Sequence, residues 1–387
     1  MAGIDDYKAK DIMTKNLVAV RKDETLSQAM GIMKNRGISE VLIKDEKDEV
    51  VGMVTQEMFT QRRHLPLSTK LENVMNSPPS VQTEDNVMDI CEMLMSAGYR
   101  GIPVKSSKGK IVGFVSRTDI VKKIPEMKEF KDLKVNEIMT PAPSTITEHD
   151  SIDLAKNMMR DLDEKVLPVV NKQGKLSGMI GIKDMIKSDL YPYIREEKGD
   201  MTGERDSPHR KIEIRSLMNS PPITTTPDED SIEAARKMAE NDISTLIALD
   251  EYGDIKGVLT SIDLIETLAS FKEGERVYVQ ITGLNEGPDT LDMMYELIQK
   301  YLQKFNNVIK PLVMNIHVVT HNKEGTETKF SLRMRLQSDH GMFYVKEHDW
   351  NIMRALNEGL DNMERIIFEE KERHLDRIRK HPKYRGQ

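Results

Sequence analysis

Four times in 387 residues the chain repeats an apolar-Met signature and, at an almost fixed distance beyond it, a glycine. The signatures are Asp11-Ile-Met-Thr14, Asn73-Val-Met-Asn76, Glu137-Ile-Met-Thr140 and Ser216-Leu-Met-Asn219. The separations are 39 residues from Met13 to Gly52, 38 from Met75 to Gly113, 39 from Met139 to Gly178 and 39 from Met218 to Gly257. Internal self-similarity of this kind marks a chain assembled from copies of one supersecondary unit. It restricts the fold more than composition does, because every copy must satisfy the same pattern of apolar and turn residues.

The interior of each copy reads alike. A polar-capped segment with apolar residues at helical spacing comes first, as in Thr25-Leu-Ser-Gln-Ala-Met-Gly-Ile-Met33. A short β-rich run follows, exemplified by Glu40–Lys44, Gly101–Val104, Val166–Val170 and Thr245–Leu249. A turn rich in Asp, Lys and Gly leads to a second strand such as Lys110–Ser116, and a closing helix begins near an Asp, as at Asp119. Each copy is predicted to be β-α-β-β-α. The segment joining the third and fourth copies is longer and polar around 196–210, and reads as a mobile linker over 193–210.

The Met-Thr-Pro-like start, the apolar-Pro-Val strand and the Gly-x-x-[Ser/Thr]-x-x-Asp ending resemble the CBS domain family. The resemblance covers 8–270 and divides into 8–66, 67–128, 132–192 and 211–272. It implies that the first two units pair, and likewise the last two. In that family the Gly-x-x-[Ser/Thr]-x-x-Asp residues are adenosine-ligand contacts. Chemically, the glycine admits close approach of backbone, the hydroxyl and the helix start can meet a phosphate, and the carboxylate can accept from ribose hydroxyls. Two copies are complete: Gly113-Phe-Val-Ser116-Arg-Thr-Asp119 and Gly257-Val-Leu-Thr260-Ser-Ile-Asp263. The first copy has Met58 where Asp is expected, and the third has Gly181 in place of the hydroxyl. The expected nucleotide-binding residues are therefore Ser116, Arg117, Asp119, Thr260, Ser261 and Asp263, with AMP, ADP or ATP as the regulatory ligand and no cofactor required. The same Ser/Thr-x-x-Asp spacing also makes a plain helix N-cap, so capping in an empty dimerisation scaffold stays open beside ligand contact.

Beyond 271 the pattern changes. Arg276–Gly283 alternates as a strand, and Pro288-Asp289 opens a helix from Thr290 to about Val308. Strands are expected at Val313–His321, Lys329–Leu336 and Gly341–Val345, and a long helix capped by Asp349 runs towards Ile378. This β-α-β-β-β-α order, with Ile281-Thr-Gly283 and the helix motif Ala355-Leu-Asn-Glu-Gly-Leu-Asp361-Asn-Met-Glu364-Arg365, resembles the ribosome hibernation-promoting factors (the sigma-54 modulation or ribosome-associated inhibitor family) over 276–375. The overall class is thus α/β (α+β): two pair modules of four β-α-β-β-α repeats, a β-α-β-β-β-α domain, and a basic tail over 376–387.

That second resemblance implies binding to the rRNA of the small ribosomal subunit and silencing of translation. The helices here are less basic than is usual in the family, and its aromatic near the helix start has no exact counterpart, Trp350 lying three places earlier. Candidate RNA-binding residues are Lys300, Lys304, Arg354 and Arg365 on the helices, then Lys371, Arg373, Arg377, Arg379, Lys380, Lys383 and Arg385 in the final stretch. Cations in such number neutralise phosphates, although a solubilising tail has the same composition. Charge placement points the same way: 276–387 carries 18 Lys+Arg against 16 Asp+Glu, and the rest 39 against 48.

Other classes find little support. Cys91 is the sole cysteine, so no intrachain disulfide forms and a reducing, cytoplasmic compartment is expected. No apolar run approaches the ~18 residues of a membrane span, and the N-terminus lacks a secretory pattern. Phosphate-loop, zinc-protease and paired-cysteine motifs are missing, so neither an enzyme nor a metal site is expected. The combined expectation is a homodimeric, nucleotide-sensitive ribosome hibernation factor of archaeal type. A sensor acting on a protein partner and a DNA-binding regulator remain as alternatives.

Overall fold

The structure is a computed structural model and describes residues 3–56, 58, 66–96, 99–162, 166–187, 212–271, 277–284, 286–322, 328–338 and 341–380. The chain divides into two compact units, one holding most of the four repeats and one holding the residues from 270 onward together with Asn136–Pro141 of the third repeat.

Each repeat has a short strand, a helix and a β-hairpin. The short strands are Ala19–Arg21, Val81–Gln82, Ile146–Thr147 and Thr224–Thr225. The helices are Leu26–Arg36, Val87–Ser96, Ile152–Leu162 and Ser231–Glu240, and every one starts where a side chain satisfies an otherwise orphaned backbone N–H. Thr25 Oγ1 accepts from Gln28 N at 3.4 Å, Asn86 Oδ1 from Asp89 N at 2.8 Å, Ser151 Oγ from Leu154 N at 3.1 Å, and Asp230 Oδ1 from Ile232 N at 2.9 Å. The hairpins pair Glu40–Lys44 with Val50–Thr55, Gly101–Lys105 with Ile111–Ser116, Val166–Val170 with Leu176–Gly181, and Thr245–Leu249 with Ile255–Thr260, all antiparallel. The short strand joins each hairpin in parallel. Three hairpin turns use one device: the carboxylate or amide oxygen of Asp45, Asn171 or Asp250 accepts from the backbone N–H two and four residues on, at 2.8–3.1 Å. The closing helices are Arg117–Val121, Ile182–Lys187 and Ser261–Ser270 in the second, third and fourth repeats.

The repeats associate two by two through their starting signatures. Thr14 and Phe114 exchange backbone hydrogen bonds at 2.9 Å, and Met53 and Asn76 do so at 2.9 and 3.0 Å, which joins the first two repeats reciprocally. Met179 and Asn219 exchange bonds of 3.0 and 2.8 Å between the third and fourth. The fixed Met-to-Gly spacing has its cause here. Met75 lies against Gly52, Met13 against Gly113 and Met218 against Gly178, so that a Cβ on Gly52 or Gly178 would fall 2.7 or 2.8 Å from the methionine sulfur. Three of the four signatures thus pack against the partner repeat's glycine, where only the absence of a Cβ leaves room.

The second unit is a four-stranded sheet with helices on one face. Its strands are Tyr278–Thr282, Pro311–Asn322, Thr328–Ser338 and Gly341–Asp349, in that spatial order. The first pair is parallel and the others are antiparallel. Met314, Ile316, Leu332, Met334, Phe343 and Val345 point to one side and pack with Met294, Ile298 and Phe305 of the helix Pro288–Phe305 and with Leu356, Leu360 and Met363 of the helix Ile352–Lys380. The opposite parity aligns cross-strand rows on the other face, Gln280–Asn315–Arg335–Tyr344 and Thr282–His317–Arg333–Lys346. Two expected boundaries shift. The first of these helices begins at Pro288, whose missing N–H costs nothing in a first turn, and ends at Phe305. The last is capped by Asn351, whose Oδ1 accepts from Arg354 N at 3.0 Å, while Asp349 instead accepts from Asn351 N at 2.7 Å one step earlier. Among the described residues no helix is long and apolar enough to cross a membrane.

Candidate functional site

The two complete Gly-x-x-[Ser/Thr]-x-x-Asp endings form the same local structure. Asp119 Oδ2 accepts from Ser116 N at 2.9 Å and Ser116 Oγ at 2.6 Å, while Ser116 Oγ accepts from Asp119 N at 3.2 Å. Asp263 Oδ2 accepts from Thr260 N at 2.6 Å and Thr260 Oγ1 at 2.7 Å. The first is a reciprocal capping box, and the second shares its carboxylate half. Asp184 in the third repeat, without the hydroxyl, still accepts from Gly181 N at 2.8 Å. Capping is therefore common to three repeats. What distinguishes Asp119 is its other oxygen, Oδ1, which accepts from Thr14 Oγ1 at 3.3 Å and lies at a cleft. Asp263 is only 1% exposed and does not line that cleft.

The cleft has a volume of about 270 Å³ and lies within the four-repeat unit. That is near the lower end of the ~300–1,000 Å³ typical of small-ligand sites. Three repeats build it. The first contributes Thr14, the segment Asn16 to Val18, the segment Arg36 to Glu40, and Leu42; the second contributes Arg100, Phe114 and Ser116 through Asp119; the fourth contributes Asp242, Ser244 and Ser261. Arg36, Arg100 and Arg117 bring guanidinium groups suited to phosphate, and Phe114, Leu17, Val18, Ile38 and Leu42 bring apolar wall. The loops of the first and fourth repeats are equivalent: Gly37 and Asp242 both end a helix with positive φ, at 67° and 50°, and each is followed by Ile-Ser. The hydrogen bonds Arg117 N to Arg100 O (2.8 Å) and Ser261 N to Ser244 O (2.9 Å) tie each lining helix start to the loop beside it. Cys91 is buried on the second repeat's helix Val87–Ser96, and burial pushes its thiol pKa up.

In the second unit the helix cations occupy different surroundings. Lys300 and Arg365 are exposed. Lys304 pairs with Glu364 at 3.1 Å and sits 4.3 Å above the Tyr301 ring, so its charge is partly spent within the domain. Arg354 is exposed and 3.7 Å from Asp349. Tyr301 donates from its hydroxyl to Asp361, and burial, then that bond, raise its pKa. Of the basic stretch, Lys371, Arg373, Arg377, Arg379 and Lys380 fall on the helical backbone but their side chains lie outside the described residues, as do Lys383 and Arg385 entirely; the 193–210 linker is outside them too. Among the described residues no cluster of three His, Cys, Asp or Glu side chains could hold a metal.

The CBS domain family model matches residues 9–62, 71–126, 135–191 and 214–270. The chain belongs to the CBS domain family. A second model, described as the hibernation factor Hib C-terminal domain, matches 278–385. The uncharacterized protein MJ1404 of the archaeon Methanocaldococcus jannaschii is 30% identical over 97% of this chain and 93% of its own length, so the relationship spans CBS array and last domain together. Inosine-5'-monophosphate dehydrogenase of Aquifex aeolicus is 23% identical over 54% of this chain and 41% of that enzyme. Among solved structures, protein MJ1225 of M. jannaschii superposes with a TM-score of 0.54 at 19% identity, covering 67% of this chain and 98% of its own, which reflects the shared CBS fold.

Of the residues that the CBS motif singles out, Ser116, Arg117, Asp119 and Ser261 come together at one cleft, while Thr260 and Asp263 stand apart from it. Thr14, Arg36, Arg100, Asp242 and Ser244 complete the lining and carry no motif of their own. The one sequence signal for them is the Ile-Ser pair after the helix in the first and fourth CBS repeats, Ile38-Ser39 and Ile243-Ser244.

Proposed function

We propose that this chain is a ribosome hibernation factor, acting by binding rather than catalysis. In this reading the last domain engages rRNA of the small ribosomal subunit and blocks translation, and the CBS array forms a dimeric, cytoplasmic body that senses an adenine nucleotide. The observation that carries it is the match of 278–385 to a hibernation-factor domain, on a sheet of β-α-β-β-β-α order. The cleft supplies the sensing half. Arg36, Arg100 and Arg117 suit phosphates, Asp119 Oδ1 suits ribose hydroxyls, and the apolar wall suits a base. Because the first, second and fourth repeats all line it, a bound nucleotide would tie the two CBS pairs together. Coupling between two such sites is typically about 1–3 kcal/mol.

Adding the purified chain to a cell-free translation reaction tests the proposal. Protein synthesis should fall as the chain approaches the ribosome concentration, and AMP or ATP should shift the amount required. Undiminished synthesis at a tenfold excess over ribosomes, with and without nucleotide, rejects it.

A further inference from the structure

We infer that the outer edge of the strand Tyr278–Thr282 pairs with the same edge of a second copy of this chain, joining two last domains into one continuous sheet. The strand stands first in the sheet order, so among the described strands it has a neighbour on one side alone. Open edges carry unpaired backbone N–H and C=O groups, and chains that stay single blunt them with charge or proline. The opposite edge strand is blunted in this way, by Lys346, Glu347 and Asp349. Tyr278-Val-Gln-Ile-Thr282 has neither a charge nor a proline.

A groove of about 730 Å³ runs beside this edge. Val277 and Val279 of the strand side and Tyr295 and Leu302 of the helix Pro288–Phe305 wall it, and Gln299, Gln303 and Asn306 line it with neutral amides. Val277, Val279 and Ile281 are only partly buried against the core, so a strand added at the edge would finish covering them. That neutrality selects the occupant. Lys310 is the single charged residue among the described lining, whereas RNA would call for several cations. A two-fold interface sets each patch against itself, and a chain of net charge −7 repels its own copy except where the patch is neutral. Antiparallel pairing about Gln280, the exposed middle residue, sets Val279 opposite Ile281 of the second copy on the groove side. Such β-branched cross-strand pairs stabilise sheets.

The pairing stands apart from ribosome binding and from association through the CBS array, and its test reads the strand itself. Cys91, the chain's one cysteine, is buried, so Gln280→Cys adds the accessible thiol. Opposed residues of antiparallel strands have Cα atoms about 4.5–5.5 Å apart, inside the ~4.4–6.8 Å that a disulfide spans. Full-length Gln280→Cys chain incubated with oxidised glutathione should therefore run mainly as a covalent dimer on a non-reducing gel. Lys300→Cys, exposed on the neighbouring helix and outside the groove lining, should stay single. Gln280→Lys sets like charges against each other and should weaken self-association at least tenfold by sedimentation equilibrium. An equal mixture with Gln280→Glu chain should restore it. Absence of the covalent dimer in Gln280→Cys, or as much of it in Lys300→Cys, overturns the pairing and leaves the edge to some other strand. So does a Gln280→Lys chain that associates as tightly as the unaltered one, or whose loss the Gln280→Glu chain fails to restore. A chain that fails here and still inhibits translation loses this inference and keeps the ribosome reading.

Discussion

Two aspartates with one local geometry show how burial separates a cap from a ligand contact. Asp119 and Asp263 both accept from the backbone N–H and the hydroxyl of the residue three positions earlier, but only Asp119 lines the cleft. Asp263→Ala is therefore expected to destabilise the protein by about 1–2 kcal/mol through the lost cap, and to leave nucleotide affinity unchanged. Asp119→Ala should cost the same cap and also weaken AMP or ATP binding roughly 10–100-fold, the equivalent of ~1.5–3 kcal/mol for hydrogen bonds to a charged acceptor. Denaturant unfolding and titration calorimetry on both variants read the two effects separately. Equal affinity losses would contradict the distinction. Tyr301 offers a pH test in the second unit. Burial and its bond to Asp361 raise the tyrosine pKa, so the native state holds this proton more tightly than the unfolded chain. That contribution is fully present below about pH 10, the ordinary tyrosine value, and is lost as pH rises beyond it. Tyr301→Phe should remove about 1–2 kcal/mol at pH 7 and flatten the alkaline fall in stability, as followed by urea unfolding at pH 7 to 11.

Among the elements, the repeated glycine is set by a neighbour in another repeat rather than by its own turn. Gly113→Ala would drive a Cβ into Met13 and is expected to destabilise by about 1–3 kcal/mol. Gly31, inside the helix Leu26–Arg36, has nothing within 4 Å of where a Cβ would stand, so Gly31→Ala should stabilise by about 0.5–1 kcal/mol. Thermal unfolding with opposite signs for the two glycines is the outcome that supports this packing. The contrast also explains what could be read in the chain directly. Helix starts were legible because Thr25, Asn86, Ser151 and Asp230 each satisfy a backbone donor within three residues. Hairpin turns were legible because Asp45, Asn171 and Asp250 act within four. The cleft was legible only at its motif. Arg36, Arg100 and Asp242 reach it from three repeats, and no local rule records that meeting. The same holds for the sheet face: alternation in Lys329–Leu336 announced a strand, but which cations stand side by side depends on the register with the strands beside it.

For the whole molecule, the charge asymmetry and the architecture point to a division of labour. Residues 276–387 carry 18 Lys+Arg against 16 Asp+Glu, in a chain whose net charge is −7. A polyanion partner should therefore be met by the last domain and be repelled by the CBS array, with an affinity that falls steeply as salt rises. Nucleotide held where three repeats converge should change that affinity 5–150-fold, the range spanned by a coupling of about 1–3 kcal/mol. Competition titrations with AMP and ATP measure the direction. The most direct measurement is centrifugation of the purified full-length chain with isolated small ribosomal subunits through a cushion at stepped salt. The account predicts near-stoichiometric pelleting at 50 mM salt and progressive release by 300 mM. A chain that stays in the supernatant at every salt concentration would contradict it.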